Sequence, residues 1–275
     1  MINLKYEKIS NASDKKFKRM VGVKREVFEF LVAILEDAYK EKHKYGGREA
    51  SLSREDMLLL TFSYLRDYTT FLKLGAYFDL DESNAYRNVT WVESVLQPYM
   101  NEDFDITKLD LSKEYIVDVT ECTVTRSKVK EIQREYYSGK KKKHTIKIQI
   151  IIEEETKKIV HVAFEKGSVH DFKLFKQSTT EINKDVSMLG DSGYQGMDKE
   201  LPNSMTPKKK SKNNPLTDQD NELNKLISSY RISVEHVNCQ LKIFRILSER
   251  YRNRKHTFAN RALFLCSLYN FCLGI

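Results

Sequence analysis

The sequence predicts a small all-α domain followed by a larger α/β domain, in which a mixed sheet is flanked by helices. Three observations carry that prediction. Up to about residue 100 the apolar residues recur at steps of three and four; from Tyr115 the period drops towards two; beyond Thr217 a long helical period returns. With 275 residues, 40% apolar and 11% aromatic, the chain can bury a real core, which excludes a disordered chain. Only 10 Gly and 4 Pro exclude a collagen-like or linker-dominated one.

Residues 24–40 place Val27, Leu31, Ile34 and Ala38 on one face of an amphipathic helix. After Gly46-Gly47, the run Ser53-Arg54-Glu55-Asp56 has the capping-box pattern, in which a hydroxyl and a carboxylate satisfy the free amides of a new helix reaching about Arg66. A short helix from Thr70 to about Phe78 and a tight connection through Asp79–Glu82 lead to a helix over 83–96, which Pro98 stops. There Ala85, Val89, Val92 and Leu96 form the buried stripe, and Ser83, Asn84 and Arg87 face outward near the leading end. A helix-turn-helix presents its reader to DNA in this way. An ordinary helical bundle gives the same pattern, so geometry alone leaves both readings open.

Residues 101–113 are polar and aperiodic and read as a linker between a domain over 1–100 and one over 114–275. Tyr115–Val119 is then a buried strand, and 144–152 and 158–164 are hairpin strands about a turn at 153–157. A helix from near His170-Asp171, a short strand over 186–189 and a long helix over 217–248 complete the domain.

With 47 Lys+Arg against 39 Asp+Glu the net charge is +8. Residues 1–100 hold 16 basic against 15 acidic side chains, leaving 31 against 24 beyond, so the excess lies in the second domain. The balance leans towards a polyanionic partner. No window approaches 18 apolar residues and the first 16 residues are polar, so a cytosolic protein is expected, with no membrane partner. Cys122, Cys239, Cys266 and Cys272 lack zinc-site spacing and are expected to be buried, reduced thiols.

Three acids stand out. Asp118 lies inside an apolar strand, where a carboxylate is costly unless a cation or donor compensates it. Asp191 ends the second apolar strand, in Gly190-Asp-Ser-Gly-Tyr-Gln-Gly196; parallel pairing of the two strands would bring both acids to one sheet edge. On the long helix, Leu223, Ile227, Tyr230, Val234, Val237, Leu241 and Phe244 form the core stripe. Ser228, Arg231, Glu235, Asn238, Lys242 and Arg245 form a second stripe about 100° around. Glu235 therefore borders the core with Arg231 and Lys242 on its own face. Three hard-oxygen acids without imidazole or thiolate suit Mg²⁺ or Mn²⁺. Two such ions per site would activate an attacking oxygen and stabilise the leaving oxygen of a phosphodiester.

These residues resemble the insertion-sequence transposases of the DDE superfamily, in the branch related to insertion-sequence-five elements and Harbinger-type nucleases. The resemblance runs from the segment Ser51–Leu96 to the end of the chain. It rests on Val117–Glu121, Tyr137–His144, Gly167–Asp171, Gly190–Gly196 and Arg231–His236. It implies an RNase H-like catalytic fold with Asp118, Asp191 and Glu235 as the catalytic and metal-binding triad, separated by 73 and 44 residues. Arg231 and Lys242 match the family's Arg four before and Lys seven after the Glu, whereas its Tyr falls on Ser228.

The resemblance further implies double-stranded DNA as partner, both element ends and target, with a homodimer on DNA in the nucleoid. Ser83, Asn84, Arg87, Arg231, Lys242 and Arg245 are the expected DNA contacts. The basic runs 140–143, 208–212 and 250–255 would lie along its path. Cleavage and strand transfer at one metal site is the expected activity. A domesticated nuclease or DNA-binding relative without transposition is the alternative. Glu121 is expected on the face opposite Asp118, and Asp171 as a cap on helix amides.

Overall fold

The computed structural model describes residues 5–100, 104–210 and 215–274. Its elements fall into two compact units. One holds the residues up to Met100 together with Lys242–Glu249 and the stretch from Ser267; the other holds the intervening segments.

The first unit is all-helical: α1 (Glu7–Ser10), α2 (Asp14–Val21), α3 (Arg25–Lys42), α4 (Arg54–Asp67), α5 (Phe71–Phe78) and α6 (Glu82–Leu96). At the start of α4 the Ser53 hydroxyl accepts from the Asp56 amide at 3.1 Å, as the capping pattern predicts. The other half of the box is used differently. The Asp56 carboxylate accepts from the Tyr6 amide at 2.7 Å, so it ties down the N-terminal segment instead of closing the box locally. Between α5 and α6 the chain turns through Asp79 in the left-handed region, and Leu80 N–H bonds back to the Gly75 carbonyl at 2.8 Å. A methyl group at Gly75 would collide with the Leu80 carbonyl, so only glycine allows so tight a turn. In α6 Ala85, Val89, Val92 and Leu96 are completely buried, as their spacing predicts; each Val or Leu contributes about 1.5–3 kcal/mol by leaving water. Ser83, Asn84 and Arg87 are exposed.

The second unit is an RNase H-like mixed sheet with flanking helices. Its elements are β1 (Glu114–Thr123), α7 (Lys130–Tyr136), β2 (Tyr137–Ser138), β3 (Lys143–Glu153), β4 (Ile159–Lys166), α8 (Asp171–Ser178), β5 (Ser187–Leu189), β6 (Ser204–Met205) and α9 (Asp218–Leu241). Strand β3 pairs antiparallel with β1 on one side and with β4 and β2 on the other, and β1, β5 and β6 run parallel. One face packs Tyr115, Val117, Ile151, Phe175, Met188 and Tyr194 into a core. Part of the segment read as a linker, residues 101–103, lies outside the described residues. Its remainder forms a 3₁₀ turn, Ile106–Lys108, whose Ile106 is buried in that core. Ile106 and the partly buried Leu109 decide this, too few apolar side chains for a periodic pattern.

After α9 come α10 (Arg245–Ser248) and α11 (Phe258–Leu273). The helix expected over 217–248 thus ends at Leu241, and Phe244 adopts an extended backbone before α10. The apolar stripe continues through this break because Phe244 is buried all the same; a three-residue turn hides inside an uninterrupted hydrophobic pattern. Of the cysteines, Cys122 and Cys266 are buried and Cys272 half-buried, but Cys239 is exposed on the outer side of α9, contrary to expectation. No helix of the described residues is long and apolar enough to cross a membrane.

Candidate active site

Strand β1 carries Asp118 opposite Ile150 of β3, with its side chain 17% exposed. Strand β5 pairs parallel with β1 through Glu114, Tyr115 and Ile116, so the chain leaves the sheet at Gly190 beside it and Asp191 follows at the same edge. Asp191 heads the turn Ser192–Tyr194, accepting from the Gly193 amide at 2.6 Å. A side chain at Gly193 would stand 2.8 Å from Asp191 Oδ1, so the carboxylate holds this position only over a bare backbone.

Helix α9 closes the site. Arg231 Nη2 stands 3.9 Å from Asp118 Oδ1 and 3.7 Å from Glu235 Oε1, bridging the two carboxylates. Asn238 Nδ2 donates to Asp118 Oδ2 at 2.9 Å. Burial drives the Asp118 carboxyl up to about 6. Arg231 opposes that shift, while the negative charges of Asp191 and Glu235 reinforce it. All three acids therefore share one electrostatic environment. Glu235 itself is 56% exposed, with its carboxylate at the open side of the group.

Three groups absent from the sequence expectation also belong to this region. Tyr194 is fully buried, and its hydroxyl has no hydrogen-bond partner among the described residues. Burial first, then the charges of Asp118, Asp171 and Asp191, hold its phenol well above the usual tyrosine range. Lys147 of β3 is buried and donates to Asp171 Oδ1 at 2.7 Å and to the Val169 carbonyl at 2.5 Å. Asp171 therefore does not cap α8, as expected for it; Lys147 draws its carboxylate away from the helix amides. The signal for Lys147 was in the sequence, a lysine inside the run His144–Ile152, of the same kind that singled out Asp118. Asn238 lay on the stripe of Glu235, but an amide in a helix carries no sign that it will face an acid.

Glu121 lies on the opposite face from Asp118 by register and accepts from the Thr145 hydroxyl at 2.7 Å. Lys242 and Arg245 follow the end of α9 and cluster with the helical unit, so the helical phase that linked them to Glu235 does not hold. Arg231 faces its own carboxylates, and its Nε is buried without a partner. In the helical unit Arg87 Nη1 donates to Asn84 Oδ1 at 2.9 Å, on the exposed leading end of α6. Of the basic runs, Lys140–Lys143 is exposed, Lys208 pairs with Asp220 at 2.5 Å, and Lys255 lies 3.9 Å over the Tyr136 ring. Residues 211 and 212 lie outside the described residues.

Asp118, Asp191 and Glu235 offer hard carboxylate oxygens, the donor type that a divalent cation takes, and Asn238 Oδ1 is buried and unpartnered beside Asp118. Among the described residues no three such side chains stand close enough to enclose an ion; Arg231 supplies the positive charge between Asp118 and Glu235.

The chain belongs to the DDE superfamily of endonucleases. Residues 117–270 match the family model of the DDE superfamily endonuclease, and residues 50–97 match that of the helix-turn-helix of DDE superfamily endonuclease. The chain is 36% identical over 277 residues, covering 99% of each protein, to a probable transposase for insertion sequence element IS702 from Microchaete diplosiphon. A crystal structure of a pre-cleavage Mos1 transpososome aligns at 11% identity over 83% of this chain and 80% of that one, with a TM-score of 0.22. A Mos1 transposase paired-end complex with left transposon end aligns at the same identity and coverage, with a TM-score of 0.24. Both scores are too low to bear on function.

Proposed function

We propose that the chain is the transposase of an insertion sequence, with Asp118, Asp191 and Glu235 as its catalytic, metal-binding triad. The observation that carries this reading is the burial of Asp118 in β1 beside the end of β5, facing Arg231 and Asn238 of α9. The helix-turn-helix segment binds the element ends through the exposed Ser83, Asn84 and Arg87, and two copies hold the paired ends as a homodimer on DNA in the cytoplasm.

Two Mg²⁺ or Mn²⁺ ions held by Asp118, Asp191 and Glu235 would supply Lewis-acid activation and neutralise charge on the phosphate oxygens. The residues prepare that site. Asn238 fixes Oδ2 of Asp118, which leaves Oδ1 for the reacting side. Arg231 offsets the mutual repulsion of Asp118 and Glu235 and keeps Asp118 ionisable despite its burial. Gly193 lets Asp191 lie against the backbone. In the first step water attacks a phosphorus and one P–O bond breaks, which frees a 3′ hydroxyl. In the second, that hydroxyl attacks a target phosphodiester; one P–O bond forms as another breaks, so no external energy source is needed.

The test is cleavage and joining of end-bearing DNA by the full chain. Asp118→Asn and Glu235→Gln should bind DNA as tightly as the wild type and lose Mg²⁺-dependent cleavage; undiminished cleavage by either variant sinks the triad. Arg87→Ala should weaken binding to the element's end more than to random DNA, and equal losses would reduce it to a phosphate contact.

A further inference from the structure

The helical unit contains a cavity of about 270 Å³ behind the exposed Asn84 and Arg87, most of whose lining has no part in the function above. Lys42 and His43 reach it from the end of α3, Arg48 from the following loop, and Arg87 and Trp91 from α6; no Asp or Glu lines it. Lys42, Arg48 and Arg87 form no ion pair among the described residues.

The aromatic side is fixed by packing. Tyr39 stacks on His43 at 4.0 Å, is covered on its other face by Arg54 at 3.8 Å, and meets Trp91 edge-on at 6.3 Å. Tyr39 is thus occupied on both faces and acts as a brace. Trp91 is half-buried, with the Lys42 ammonium 5.4 Å over its ring. The polar rim offers both senses of hydrogen bond. Asn84 accepts from Arg87 and keeps its NH₂ group, while Asn88 donates to the Met57 carbonyl at 2.9 Å and keeps its oxygen.

We propose that this cavity takes one unstacked nucleotide of a DNA end. The base lies against Trp91 with its edge on Asn84 and Asn88, and the phosphate rests on Lys42 and Arg48. A π-face, amides of both polarities and unpaired cations together match a nucleotide, whereas duplex backbone alone calls only for the cations. The cavity's size sits at the small end of ligand sites, enough for a base with the sugar and phosphate at the open rim. The inference rests on the DNA-binding reading of the helix-turn-helix unit. A free nucleotide shares the same chemistry, so the test separates the two sources.

Trp91 is the only tryptophan in the chain, so its fluorescence reports from inside the cavity. The full-length chain is titrated at low salt with a duplex bearing a short unpaired tail, the same duplex blunt-ended, dAMP and inorganic phosphate, while anisotropy follows each labelled duplex. The tailed duplex and dAMP should quench Trp91 in competition with one another, and the blunt duplex should raise anisotropy without quenching. The double variant Lys42→Ala/Arg48→Ala should bring a roughly ten-fold preference for the tailed duplex near parity. Equal quenching by both duplexes, quenching by phosphate as strong as by dAMP, or an unchanged Trp91 while both duplexes bind overturns the proposal. Failure of the DNA-binding reading looks different: neither duplex raises anisotropy while dAMP still quenches, and the cavity then stands as a free-nucleotide site.

Discussion

Asn238 on α9 donates a 2.9 Å hydrogen bond to Asp118 on β1, across 120 residues of sequence. Together with the Arg231–Asp118 ion pair it links the helix that carries Glu235 to the strand that carries Asp118. A hydrogen bond to a charged acceptor stabilises by about 1.5–3 kcal/mol. Asn238→Ala should therefore push the Asp118 carboxyl further up and move the acid limb of the cleavage pH profile to higher pH, with a lowered kcat. A profile that overlays the wild type would show that the bond is only structural.

The pH dependence of stability has a definite sign. Asp118 ionises at about 6 in the folded chain against 3.8 for a free side chain, so between those values the folded chain holds the extra proton. Its favourable contribution is complete below the unfolded value and is lost as pH rises through about 6, a loss of about 3 kcal/mol at neutral pH. Asp118→Asn, which mimics the neutral acid, should melt about 5 °C higher than wild type at pH 7.5 and show little difference at pH 4. Mg²⁺ should raise the wild-type melting temperature and leave the variant unchanged. A variant that melts lower at pH 7.5 would contradict this account.

Lys147, which is buried, pairs with the half-buried Asp171 at 2.7 Å. Removing the lysine strands the acid, at a cost of up to about 3 kcal/mol because Asp171 keeps some contact with water. Lys147→Met should lower the urea midpoint accordingly, and Lys147→Met/Asp171→Leu should recover most of the loss. If the double variant is no better than the single one, packing of the lysine stem and not its charge holds this corner.

Gly193→Ala tests the seat of Asp191. The new methyl would meet Asp191 Oδ1 at 2.8 Å, and the carboxylate, the end of a mobile side chain, must swing away. Fold stability should change little, while kcat should fall about a hundred-fold, as displacements of that order cause at a reacting centre. Near-wild-type cleavage would mean that this orientation of Asp191 is not the working one.

Much of this protein was legible as pattern. The period change near residue 115, the buried stripe of α6 and the strand positions around Asp118 and Asp191 follow from local geometry, because side-chain spacing and backbone period are linked. The three acids stood out for a related reason: a charge inside an apolar run, or on a glycine exit, is costly without a purpose. Only the tertiary structure decided the rest. The break after Leu241 lies inside an unbroken apolar stripe, the Asp56 carboxylate reaches Tyr6 in place of its neighbouring amide, and Asp171 turns to Lys147 instead of capping its helix. In the last two cases a carboxylate took a partner remote in sequence over a local one, and partial burial favoured the remote partner. Sequence sets which groups need compensation; the packed chain determines which group provides it.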